Sequence, residues 1–165
     1  EFMAQLLIQV AGRAGRAEMP GEVMIQTRHS THQNLQTLIH EGYHALADQL
    51  LAERKLADMP PFSHLAVIRA EAISASAPAD FLLQARQTAI QLLTQSGTLN
   101  RVTISGPLPA PMEKRANRFR QQLILRSSSR SHLQNLLSAL CVELEHSNNQ
   151  RKVRWSVDVD PQDMI

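Results

Sequence analysis

From His64 to the end, strand-length and helix-length apolar runs alternate in one order, and that order constrains the fold more than anything else in the chain. His64–Ile73 reads as a strand, Ala79–Gln95 as a helix carrying Leu82, Leu83, Ala89, Ile90 and Leu93, and Arg101–Ser105 as a strand ending at the GPLPAP loop. Arg118–Arg126 follows as a strand, Ser131–Glu145 as a helix and Lys152–Val159 as a strand. The order is β-α-β-β-α-β, the split βαβ or ferredoxin-like arrangement of an α+β domain. It sets a helix-covered core on one sheet face and leaves the opposite face for charge. At 165 residues and 43% hydrophobic, the chain can bury one ordinary core with a smaller satellite.

Ahead of this domain the pattern changes. Residues 3–17 read as a helix with Leu7, Val10, Ala14 and Ala17 on its apolar side. Gln9, Arg13 and Arg16 then fall at i, i+4 and i+7 and share the opposite face. Pro20-Gly21 is a turn and Glu22–Thr27 a short strand candidate. Residues 32–57 read as helical, interrupted near Gly42, and end before Pro60-Pro61.

Several chemistries are excluded or weakened by residue usage. The single cysteine, Cys141, rules out an internal disulfide framework and a cysteine-rich zinc site, which fits a reducing cytoplasm. No apolar run approaches the roughly 18 residues of a membrane span, and no signal peptide is visible, so no membrane partner is expected. His40-Glu41-Gly42-Tyr43-His44 fits H-E-x-x-H, the zinc-protease signature, but Gly42 falls inside what should be a firm helix. The string is therefore read as coincidence, with no metal expected.

Charge is informative through its distribution. The chain has 17 Lys and Arg against 15 Asp and Glu, a mild excess. Yet Glu113–Arg130 carries Lys114, Arg115, Arg118, Arg120, Arg126 and Arg130 against the single acid Glu113. On a strand, Arg118, Arg120, Gln122 and Arg126 point to one face and Phe119, Leu123 and Leu125 to the other. Such a face suits a phosphate backbone or an acidic peptide. The alternative is an ordinary solvated face partly neutralised by Asp158 and Glu71. An RNA-recognition module of this topology would need stacking aromatics on its third strand, which here reads RFRQQLILR. Aromatics are 4% overall, and Trp155 falls in phase with Val153, Val157 and Val159, a core position.

The sharpest motif is QVAGRAGR at residues 9–16. Two permanently charged, forked guanidiniums suit a γ-phosphate and the charge of its transfer; a solvated arginine face is the alternative. The string resembles the last conserved motif of superfamily 2 helicases, whose final arginine acts as an arginine finger between two RecA-like lobes. Further matches are Pro20-Gly21-Glu22-Val23, Ile25-Gln26-Thr27, Glu53-Arg54 with Pro60-Pro61-Phe62, Gly106-Pro107 with Ala110-Pro111, Arg118-Phe119-Arg120 and Asp158-Val159-Asp160-Pro161. In that order and spacing, over nearly its whole length, the chain resembles the C-terminal end of the bacterial primosomal replication-restart helicases.

The resemblance implies a piece of a longer protein. Residues 1–28 would end a second RecA-like lobe, 29–62 would be a helical connector and 63–165 the ferredoxin-like C-terminal domain. The parent would be a 3′ to 5′ DNA helicase of the cytoplasm, using ATP and Mg, with zinc in a cysteine-rich region this sequence lacks. It would act at stalled forks and begin primosome assembly. Arg16 would be the arginine finger, Arg13 a γ-phosphate contact and Gln9 a polar contact beside them. The six glycines are followed by Arg, Arg, Glu, Tyr, Thr and Pro, so the chain has no phosphate-binding loop, and no Asp-Glu pair occurs. Alone it is expected to be an inactive binding module, needing no cofactor. Its implied partners are forked and single-stranded DNA, other primosome proteins and the acidic C-terminal tail of the single-stranded-DNA-binding protein. Lys114, Arg115, Arg118, Arg120 and Arg126 are assigned to DNA. Arg130, which closes SSSR before a helix with Leu133, Leu136 and Leu137, is assigned to the tail. Family members often carry an aromatic where Gln121 stands here, which weakens any stacking role at that point.

Overall fold

The computed structural model describes residues 2–16, 19–20, 22–146 and 153–161, and of Gly15, Arg16, Met19 and Pro20 the backbone alone. Contacts divide the chain into two compact units, Glu1–Ala57 and Asp58–Ile165.

The first unit opens with α1 (Phe2–Ala11). This helix stops well short of the expected residue 17. Gly12 and Gly15 remove the side chains that favour helix, and the last turn tightens. Gly12 N–H still reaches the Ile8 carbonyl, but Arg13 and Ala14 donate only three residues back, to Val10 and Ala11. The backbone then forms a minimal antiparallel pair of β1 (Gly15–Arg16) and β2 (Met19–Pro20), with Arg16 opposite Met19. Ala17, placed on the apolar side by the sequence, lies outside the described residues. Residues 22–27 form no strand: a strand needs a neighbour for its ladder, and none is present among the described residues. The expected helical stretch is two helices, α2 (Gln33–His40) and α3 (Gly42–Leu56), broken where Gly42 takes φ +88°. His32 caps α2, its Nδ1 accepting from the Asn34 amide at 3.2 Å. A small core of Ala4, Leu38 and Leu46 joins α1 to the α2–α3 hairpin, with Gln5 Nε2 donating to the Tyr43 hydroxyl at 3.0 Å.

The second unit runs β3 (His64–Ala72), α4 (Ala77–Gln95), a short 3-10 turn at Leu99–Arg101, β4 (Thr103–Arg115), β5 (Arg118–Ser127), α5 (Arg130–His146) and β6 (Arg154–Val159). It is a mixed α/β unit around one four-stranded sheet, ordered β4-β5-β3-β6 with every neighbouring pair antiparallel. Period-2 alternation sends Ala66, Ile68, Ala70 and Ala72 of β3 and Leu123 and Leu125 of β5 to one face. Phe81, Leu82, Ala85, Ala89 and Leu93 of α4 cover them, with Leu133, Leu136, Leu137, Leu140 and Leu144 of α5. Trp155 packs on this core, its ring centroid 6.0 Å from that of Phe81, as its phase predicts. Helix α4 begins with Pro78 in its first turn and Asp80 at its positive end. It ends where Gly97 takes φ +66° and the Thr98 and Gly97 amides close on the Leu93 and Thr94 carbonyls.

Strand β4 does not stop at Ser105. It continues through the GPLPAP segment as an edge strand, with register slips between Ser105 and Leu108 and between Pro109 and Lys114. Pro107, Pro109 and Pro111 lack amide hydrogens, so ladder bonds there must come from the residues between them, and only an edge strand tolerates this. At the first slip Gly106 takes φ +112°, and a Cβ there would lie 2.9 Å from the Gln122 carbonyl oxygen. Gly106→Ala is expected to destabilise the chain by about 1–3 kcal/mol, the scale of forced backbone strain, read as a lower urea midpoint.

Candidate nucleic-acid interface

The sheet face opposite α4 and α5 collects charge from all four strands. Register places Glu71 of β3 directly between Arg120 of β5 and Arg154 of β6. One row along, Arg69 stands between Gln122 and Ser156. Directly opposed residues share a face, so these side chains form one patch. A shallow cavity of about 230 Å³ opens there, bounded by Arg69, Glu71, Ala110, Arg120, Arg154 and Ser156.

The arginines are not equally engaged. Arg69 Nη1 donates to Asp158 Oδ2 at 2.6 Å. Glu71 Oε1 lies 3.8 Å from Arg118 Nε and 4.0 Å from Arg154 Nη1, two looser pairs. Both partners of each pair are partly solvated, so each contributes little to stability. Arg120 faces Glu71 across the ladder yet has no acid within ion-pair distance among the described residues. At the hairpin end, Ala116 and Asn117 take φ +48° and +60°, a tight two-residue turn that sets Arg115 directly opposite Arg118. Like charges so placed repel, and an anion between them relieves the repulsion.

The basic run expected from the sequence is therefore divided. Arg115, Arg118 and Arg120 lie along this face. Lys114 pairs instead with Phe119 and sits 4.9 Å over its ring centroid, on the other side of the strand. Arg126 is drawn to the far end, where its Nε lies 3.8 Å from Asp58 Oδ2 and Nη1 donates to the Asp58 carbonyl at 3.2 Å. There the face is no longer open, since Leu65 and Val67 are buried. Arg130 is exposed at the start of α5. Arg69, Arg154 and Ser156 were not singled out by sequence. The signal for Arg69 was its alternation with Glu71 in an otherwise apolar strand; the pairing that brings β6 beside it has no local signature.

The other candidates stand differently. Gln9 is exposed on α1, Arg13 lies exposed in the turn after it, and Arg16 is in β1, its side chain outside the described residues. The three do not share one helical face, because the glycines end the helix at Ala11. His40 and His44 sit on different helices across the Gly42 break, and His40 Nε2 hydrogen-bonds Gln36 Oε1 at 3.0 Å. The single-helix geometry of H-E-x-x-H is thus not formed. Among the described residues no group of three His, Cys, Asp or Glu is placed to hold a metal, and no helix is long and apolar enough to cross a membrane. Burial pushes the Cys141 thiol above its ordinary pKa, with Glu145 adding to the rise, so it is a protonated, poor nucleophile at neutral pH.

An antiparallel sheet with helices on one face and a partly self-neutralised arginine patch on the other defines a small mixed α/β domain with one charged sheet face. Residues 55–162 match the family described as Primosomal protein N C-terminal domain, and the chain belongs to that family. It is 41% identical to Replication restart protein PriA of Haemophilus influenzae over 164 residues, 99% of this chain and 22% of that protein. The proteins of the same name from Bacillus subtilis and Synechocystis are 29% and 34% identical over 98% and 76% of the chain, and 19% and 14% of their own lengths. The chain thus spans about one fifth or less of these relatives. The de novo designed protein Foldit4 aligns with 61% of the chain and 99% of its own at a TM-score of 0.41 and 10% identity.

Proposed function

We propose that this chain is the C-terminal part of an ATP-dependent 3′ to 5′ DNA helicase that restarts stalled forks and begins primosome assembly in the cytoplasm. Its own share is to hold the phosphate backbone of forked or single-stranded DNA. In this reading residues 1–28 complete a RecA-like lobe, 29–62 connect, and 63–165 are a ferredoxin-like domain. The strand order β4-β5-β3-β6 with two helices on one face supports the last assignment. ATP and Mg belong to the whole protein. Arg13 and Arg16 offer charge to the nucleotide's γ-phosphate, while the phosphate loop and acidic metal ligands come from other parts of the parent, as does the family's zinc. Alone, the chain is a binding module without ATPase activity.

The observation that carries the DNA reading is Arg120, an arginine with no acidic partner among the described residues, at the edge of a cavity shared with Arg69 and Arg154. The single tryptophan is spent on the core, so the face suits phosphates rather than stacked bases. Arg120→Ala is expected to weaken binding of a labelled forked oligonucleotide about tenfold and to flatten the log–log salt dependence by about one unit. Fluorescence polarisation over a salt series measures both. Unchanged affinity and slope would remove this face from DNA binding.

A second contact is supported by Arg130. It is exposed, heads helix α5, and has no acid within ion-pair distance among the described residues. That chemistry fits the terminal carboxylate of an acidic tail, here assigned to the single-stranded-DNA-binding protein.

A further inference from the structure

Glu71 is out of place on a basic face. It stands on a central strand, where glutamate is disfavoured, with an arginine on the neighbouring strand to each side. Its carboxylate is nevertheless loosely held. The contacts to Arg118 and Arg154 are 3.8 and 4.0 Å, against 2.6 Å between Asp158 and Arg69. About a third of its side chain is exposed, at 34%. Asp158 is therefore a fixed partner of one arginine, whereas Glu71 is shared by two, accepts no hydrogen bond among the described residues and can swing toward water.

We propose that Glu71 is a built-in competitor for phosphate. In the free protein its carboxylate occupies the seat bounded by Arg118, Arg120 and Arg154; a phosphodiester takes that seat when nucleic acid binds. Carboxylate and phosphate present similar paired oxygens to a guanidinium, so one replaces the other without rebuilding the site. The exchange sets a threshold. A single small anion gains too little to displace a tethered carboxylate, whereas a polymer that also meets Arg115 and Arg69 gains enough. Glu71 would thus make the face selective for polyphosphodiesters over mononucleotides and free phosphate. The inference rests on the DNA-binding reading of this face.

The test uses the 165-residue chain with a labelled single-stranded oligonucleotide, and inorganic phosphate as competitor, over a salt series. Glu71→Gln, which keeps shape and removes charge, is expected to tighten oligonucleotide binding about three- to tenfold and steepen the salt slope by about one unit. It should also make inorganic phosphate a measurable competitor. Glu71→Ala is expected to act in the same direction. Asp158→Asn removes the same charge from the same face and is expected to tighten binding much less, because the acid it removes is not in the seat. Equal tightening by Asp158→Asn would reduce the effect to net charge and overturn the proposal. So would Glu71 variants, folded by their melting curves, that leave binding unchanged or weaken it. If neither the unsubstituted chain nor Glu71→Gln binds the oligonucleotide, the DNA reading falls as well, so the two failures are separable.

Discussion

Arg16→Ala, placed in a full-length restart helicase carrying this segment, is expected to slow DNA-stimulated ATP hydrolysis by about three orders of magnitude, the lower range for an arginine finger. DNA affinity should change little, because the proposed assignment places the residue at the nucleotide rather than at the nucleic acid. The expectation stands on chemistry and on local backbone. A guanidinium stays charged at any working pH and presents forked donors to the transferring phosphoryl group. The glycines at 12 and 15 end α1, and the backbone of Arg16 pairs with Met19 in a minimal hairpin. Arg13, nearer the helix end and exposed, is the auxiliary contact in this scheme. Near-normal turnover by the Arg16 variant, with normal DNA binding, would refute the assignment.

Phe81→Ala should lower the stability of the chain by about 3–5 kcal/mol, the cost of removing a large buried aromatic that its surroundings cannot refill. Phe81 is 2% exposed, sits in the first turns of α4, and leans on Trp155 of β6 across the core. Its loss therefore loosens a helix and an edge strand together. The only tryptophan in the chain is the contacting ring, so its fluorescence reports the change directly. Val142→Ala on the exposed side of α5, where the side chain is 53% accessible, should shift the midpoint by less than about 0.5 kcal/mol. Comparable losses at the two positions would mean that the α4–β6 contact is not where the stability resides.

The second unit was legible because each of its elements carries its own periodicity. β3, α4, β5 and α5 lie within a few residues of their expected bounds, and the predicted separation of Leu123 and Leu125 from Arg118 and Arg120 holds. Failure came where local pattern and context disagree. The glycines that serve the arginine motif also stop its helix, so a face inferred from helical spacing does not form. The GPLPAP segment has loop composition but edge-strand geometry, because edge position removes the usual objection to proline. The candidate interface was half legible: β5 announced its arginines, and Glu71 and Asp158 were expected as neutralising acids. Which acid holds which arginine depends on register between strands far apart in the chain. That is why Arg120 is set apart from Arg126 only in three dimensions.

The prolines of β4 also govern how molecules of this kind meet one another. A strand arriving from a second molecule needs a row of outward amide hydrogens to zip onto, and Pro107, Pro109 and Pro111 interrupt that row at every second position. The hairpin tip beyond them continues the refusal with Lys114 and Arg115, since like-charged tips do not stack. The domain is thereby kept from fusing its sheet with a neighbour's along this margin. Encounters there are left to side chains, which let go, rather than to backbone ladders, which accumulate.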